Sequence, residues 1–231
     1  MVSSSLSSGS GWMRVDGSAA VWLETALIEH ERWASRSGGR PKHTAARMMA
    51  ALWLEYTPVP TAPAIGAVTT TSAVLAMRER ALDWAGLSEG LSGAPRLRIY
   101  ASAQTHSSVD KAARLAGIGQ SNLVKVPTLA DHAMDPAALD RHIAEDRAAG
   151  HLPIGVVLCA GGTSIGAFDR IEETLAVAKK HGLYTHVDAA WAGSAMICPE
   201  FRQLWAGVEG ADSIVFNPHK WLGVQFDCAV Q

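Results

Sequence analysis

Between residues 97 and 216 the chain alternates short apolar runs with stretches of helical pattern, and no other feature narrows its possible folds so much. Residues 97–100, 123–126, 154–159, 184–187 and 213–216 are rich in Val, Ile, Leu and Tyr and read as strands; residues 226–230 read as a last one. Helices are expected between them. The pattern predicts one over 74–84 and one over 107–115 with a serine cap. A third opens with Asp135 as N-cap and Pro136 in the first turn, and runs to about Ala149. A fourth is capped by Asp169 and ends near Lys179-Lys-His-Gly182, where basic residues and glycine suit a helix C-terminus. A short helix is expected over 199–204. Strands alternating with helices predict an α/β fold, a mostly parallel sheet with helices on both faces.

The N-terminal part reads differently. Residues 1–11 are Ser/Gly-rich and read as disordered, with neither the basic start nor the apolar core of a signal peptide. Helical patterns cover 18–34 and about 44–56, and Pro58, Pro60 and Pro63 then punctuate the chain. The expected organisation is an unassigned segment over 1–65 and one domain over 66–231.

Composition excludes several classes. The chain has 231 residues and a formal net charge of −2, with Lys and Arg scattered, so no polyanion partner and no nucleic acid is expected. Hydrophobic residues make up 48%, which suits a packed domain rather than a disordered chain. No apolar run reaches the roughly 18 residues of a membrane span. Cys159, Cys198 and Cys228 show no metal-site spacing and no nucleophile signature. They read as reduced packing residues of a cytoplasmic protein. His132, His142 and His151 read as solvated surface.

Two of the expected strands end in chemistry. His186-Val-Asp-Ala-Ala-Trp-Ala-Gly193 delivers an acid, and Ser213-Ile-Val-Phe-Asn-Pro-His-Lys-Trp221 delivers an amine. Strand ends at the edge of a buried sheet are where α/β enzymes keep their ligands. An acid and an amine there suit pyridoxal phosphate (PLP): a Lys condenses with the cofactor aldehyde, and a carboxylate keeps the pyridine nitrogen protonated. The apolar flanks of Lys220 predict an amine partly withdrawn from water, which favours the nucleophilic form. Asp188, among small residues, needs a cationic partner, since unpaired buried charge is costly.

The same two segments, together with Tyr100-Ala-Ser-Ala-Gln-Thr-His-Ser-Ser108, resemble the group II PLP-dependent amino-acid decarboxylases, the aromatic-L-amino-acid decarboxylase family. The three matches stand in the family's order and spacing. The resemblance implies a fold-type I large domain and a set of roles. Lys220 would be the internal aldimine lysine and Asp188 the partner of the pyridine nitrogen. His106 would stack on the cofactor ring, placed also to assist proton transfer, with Ala190 on the opposite ring face. Thr163, in Ala160-Gly-Gly-Thr-Ser-Ile-Gly166, would hydrogen-bond nearby, and Trp191 would line the substrate side. Asn217 and His219 would help hold the phosphate. Thr71 and Ser72, ahead of the helix expected from Val74, would supply the remaining phosphate contacts, because hydroxyls and N–H groups at a helix start bind anions. The stretch from Thr71 to Arg78 is several residues shorter than the family's, and Gly162 stands where threonine is common.

The implied activity is decarboxylation of an L-amino acid, aromatic first, to the amine and carbon dioxide by a homodimer. Family members continue through a mobile loop and a small C-terminal domain, so the resemblance implies a truncated member. Other PLP chemistry on the same fold stays open, such as decarboxylation of glutamate or other acidic or diamino acids, or transamination. So does a non-catalytic remnant acting as a subunit partner.

Overall fold

The computed structural model describes residues 65–231, Phe226 excepted. The expected disorder over 1–11 and the helices expected over 18–34 and 44–56 lie outside the described residues. Helix α1 (Ile65–Ala81) and the single turn α2 (Gly86–Glu89) lead into β1 (Leu97–Ser102). Then follow α3 (Ser108–Leu115), β2 (Leu123–Val126), α4 (Pro136–Ala148), β3 (Leu152–Cys159), α5 (Ile171–Lys180), β4 (Tyr184–Asp188), β5 (Ser213–Val215) and the one-turn α6 (Pro218–Trp221). Three short 3-10 segments, Gly193–Ile197, Pro199–Trp205 and Val208–Gly210, fill the connection from β4 to β5.

The five strands form one parallel sheet in the order β2-β1-β3-β4-β5. Each face buries its own core. On one side α1 and α3 cover Ile99, Ala101, Ile154 and Val157 with Val74, Met77, Val109 and Ala113. On the other, α4 and α5 cover Tyr100, Val156, Leu158 and Val187 with Leu139, Ile143, Ile171 and Leu175. The crossover after β1 therefore runs over one face and those after β2 and β3 over the other. The reversal falls between β1 and β3, the point in such sheets where the strand ends open a crevice.

Strand β3 carries a bulge. Leu97 and Arg98 pair with Leu152 and Pro153, but Ile99 pairs with Gly155, so Ile154 is an extra residue. Gly155 lets α1 pack close there: a Cβ would sit 2.5 Å from Met77 Sδ, so that side chain would have to move. Beneath the opposite face, Tyr100 donates its hydroxyl to Asp146 at 2.7 Å, and Arg98 Nε donates to the same carboxylate at 3.0 Å. Burial and that acidic partner push the Tyr100 hydroxyl well above its ordinary range.

Four expectations need correction. Helix α1 starts at Ile65, not at Val74, so Thr69-Thr-Thr-Ser72 lies inside a helix rather than ahead of one. Ser107 makes no side-chain cap for α3; the His106 ring does, with its Nδ1 accepting the Ser108 N–H at 3.2 Å. Asp169 does not cap α5, whose N-cap is Arg170; its carboxylate turns inward. The strand expected over 226–230 is reduced, among the described residues, to a single antiparallel bridge of Phe216 with Val230. Asp135, by contrast, caps α4 as expected, accepting the Ala137 N–H at 2.9 Å with Pro136 behind it.

Candidate active site

The C-terminal edge of the sheet gathers the chemistry. His106 follows β1, Cys159 ends β3, and Gly161, Gly162 and Thr163 continue from it. Asp188 ends β4, Ala190 and Trp191 follow it, and Lys220 rides on α6 just after β5. These nine residues line one cleft. Six of them, Lys220, Asp188, His106, Ala190, Thr163 and Trp191, are site candidates from the sequence, drawn from four different strand-end connections.

Each is placed by local rules. Cys159 and Asp188 are register partners on adjacent strands, so both reach the same face at the same level. Asp188 is 8% exposed and its Oδ1 accepts the Ala190 N–H at 3.2 Å. Two residues earlier His186 is fully buried, with Nδ1 2.8 Å from Ser213 Oγ. Burial holds that imidazole down to about 4, against the pull of Asp188, so it is neutral at physiological pH. Gly161 adopts φ +81°, and a Cβ there would collide with the Ala192 side chain; this lets the β3 connection turn over the cleft. Asn217 N–H donates to Ala190 O at 3.2 Å, tying the approach to Lys220 to the end of β4. Trp191 and Trp221 meet edge to face at 4.8 Å beside Lys220.

Other expectations shift. Lys220 is exposed, not withdrawn from water. Thr71 and Ser72 stand mid-helix in α1, and neither lines the cleft. Asn217 and His219 also lie outside its lining. Asn217 is 3% exposed and its Oδ1 has no partner among the described residues. His219 Nδ1 accepts the Cys228 N–H at 2.9 Å and lies 3.2 Å from Asp227. Cys159, read as packing, is buried and also lines the cleft. Burial, with Asp169 and Asp188 close by, pushes its thiol far up, so it stays protonated. Sequence reasoning missed Gly161 as a lining residue; its position between Ala160 and Gly162 is the signal that could have found it. Of the histidines read as surface, His132 is exposed, while His142 and His151 are half-buried. Among the described residues no three His, Cys, Asp or Glu side chains are grouped to hold a metal ion, and no helix is long and apolar enough to cross a membrane.

The residues present fit PLP at its ring and aldehyde. The set offers a carboxylate, a primary amine, an imidazole and small residues around one cleft.

The family model described as the pyridoxal-dependent decarboxylase conserved domain matches residues 61–231. The chain belongs to this family. An aromatic-L-amino-acid decarboxylase of Drosophila lebanonensis is 48% identical over 130 residues, which cover 56% of this chain and 32% of that protein. A crystal structure of Oryza sativa TDC with PLP aligns at a TM-score of 0.67 with 42% identity, over 71% of this chain and 35% of that one. Mouse CSAD aligns at a TM-score of 0.72 with 29% identity, over 92% of this chain and 42% of that one. The chain spans about a third of the length of the curated relatives it matches. The decarboxylase domain is thus PLP-dependent, with the fold-type I large-domain architecture of these neighbours.

Proposed function

We propose that the protein decarboxylates an L-amino acid, an aromatic one first, with PLP held in the cleft of Lys220, Asp188 and His106. The observation that carries this reading is the convergence of those three side chains, from three separate connections, on one cleft at the sheet edge. Bound PLP supplies an electron sink for the charge left at Cα when the carboxylate departs. The chain's own residues supply the rest. Lys220 would hold the cofactor through its amine. Asp188 would pair with the ring nitrogen and keep it protonated, its burial strengthening the pairing. His106 and Ala190 would pack against the cofactor ring. Thr163 would hydrogen-bond beside them and Trp191 would line the substrate side. Two copies of the chain pair as a homodimer in the cytoplasm.

A second reading has an observation of its own. The exposed Lys220 and a cleft without the four expected phosphate residues suit a non-catalytic chain that acts as a subunit partner. A visible absorbance spectrum of the purified protein with added PLP, beside Lys220→Ala, separates the two. A band that needs Lys220 supports the first reading. A folded protein with no band refutes it. Product analysis then decides between carbon dioxide with an amine and the keto acid of a transaminase.

A further inference from the structure

We infer that Thr70 and Ser108 form a hydroxyl relay that fixes the tautomer and ring plane of His106, making both positioning residues for the imidazole. The inference joins α1, otherwise a packing helix, to the cleft, and its consequence for turnover rests on the function proposed above.

The geometry leaves little choice of hydrogen direction. Ser108 N–H donates to His106 Nδ1 at 3.2 Å, so that ring nitrogen is an acceptor and carries no proton. Ser108 Oγ lies 3.0 Å from the same nitrogen. If the hydroxyl pointed elsewhere, an oxygen lone pair would face a nitrogen lone pair. The hydroxyl therefore donates to Nδ1. Thr70 Oγ1 lies 3.3 Å from Ser108 Oγ, and once Ser108 has spent its hydrogen Thr70 must be the donor. The order is Thr70 to Ser108 to His106 Nδ1, and the ring proton is left on Nε2.

Burial makes the relay costly to break. Thr70 is 1% exposed and Ser108 3%, so water cannot readily replace either partner. The relay is also anchored in the backbone, because His106 O accepts the Val109 N–H at 3.1 Å while its ring caps the same helix. The imidazole is held at both ends of its residue. It presents Nε2–H, a donor suited to a carboxylate or carbonyl oxygen rather than to a cation.

The test reads the tautomer directly. Two-bond proton–nitrogen spectra of the full chain with labelled histidine, without cofactor, are compared for the parent, Thr70→Val, Thr70→Ser and Ser108→Ala, with His106→Gln assigning the signals. The parent shows the Nε2–H pattern. Ser108→Ala removes the hydroxyl donor and lets some Nδ1–H form appear against the remaining Ser108 N–H; Thr70→Val loosens the Ser108 hydroxyl and shifts the ring-nitrogen signals of the pattern, and Thr70→Ser, which restores the hydroxyl, returns the parental pattern. With PLP and substrate, Thr70→Val loses about three- to tenfold in kcat with KM little changed, the effect of one hydrogen bond. A parental pattern in folded Thr70→Val overturns the relay, as does an altered pattern in Thr70→Ser. If Ser108→Ala does not fold, the Val/Ser pair at position 70 still decides. Absence of a PLP band in the parent would overturn the decarboxylase reading and leave the tautomer result standing.

Discussion

Two buried acids stand near the same strand ends and do opposite work. Asp169 is 2% exposed and accepts two backbone N–H groups, Cys159 and Met134, each at 2.6 Å. Asp188 is 8% exposed, accepts one, from Ala190 at 3.2 Å, and opens onto the cleft. Asp169 fastens the connection before α4 to the end of β3. Asp188 keeps acceptor capacity that the described residues leave unused, facing the cleft. The contrast teaches how to tell a scaffold carboxylate from a ligand-binding one: by how much of its hydrogen-bonding the protein has already used.

Breaking Asp188 should have the largest effect. Asp188→Ala is expected to lower PLP-dependent decarboxylation by about 10²–10³-fold, because removing one partner of a buried ion pair costs about 3–5 kcal/mol. Its melting temperature should match the parent's. A comparable loss of stability would place Asp188 with the scaffold instead. Asp169→Ala should do the reverse. Two orphaned buried N–H groups cost about 3 kcal/mol together, seen as a lower urea midpoint.

Acidity sharpens the contrast. Burial outweighs the two N–H bonds and pushes Asp169 up to about 6 from its ordinary 3.8. A carboxyl raised on folding adds stability that is full below about pH 4 and fades as pH climbs through about 6. Between pH 7 and 4.5 the parent should therefore gain about 2 kcal/mol relative to Asp169→Asn, which cannot titrate there. Parallel unfolding curves for the two proteins would refute this. The smallest effect belongs to the cleft's rim. Trp221→Ala removes the edge contact with Trp191 and should weaken PLP binding by less than about tenfold, an aromatic pair being worth about 0.5–1.5 kcal/mol. Quenching of tryptophan fluorescence during PLP titration would measure it.

Much of the molecule was legible because strands and their ends announce themselves. The run over 123–126 matches its strand, and the other four differ by only one or two residues at an end. Asp188 and Lys220 were expected from strand ends that carry an acid and an amine, and His106 from its motif; the structure brings all three to one cleft. What escaped depends on partners far along the chain. Thr69-Thr-Thr-Ser72 lowers helix propensity and resembles a helix start, yet packing of α1 on α3 and β3 carries the helix straight through it. Asp169 sits where caps sit, but its partners lie 10 and 35 residues back. No local rule finds them. His106 as a cap was hidden because imidazoles are poor candidates by composition and good ones only by geometry. The apolar neighbours of Lys220 suggested a dry amine, but α6 is a single turn whose outer side faces water.

The extra residue in β3 bears on how this part of the gene can vary. Losing or gaining one residue inside a strand normally exchanges its two faces from that point on. At Ile154 the step has already been taken and absorbed. A chain without it would pair residue for residue with β1 and still present Val157 and Cys159 on their present side. The loss would fall on the core, one isoleucine at 2% exposure, and not on the cleft. Deleting Ile154 is therefore expected to leave the chemistry five residues downstream in phase.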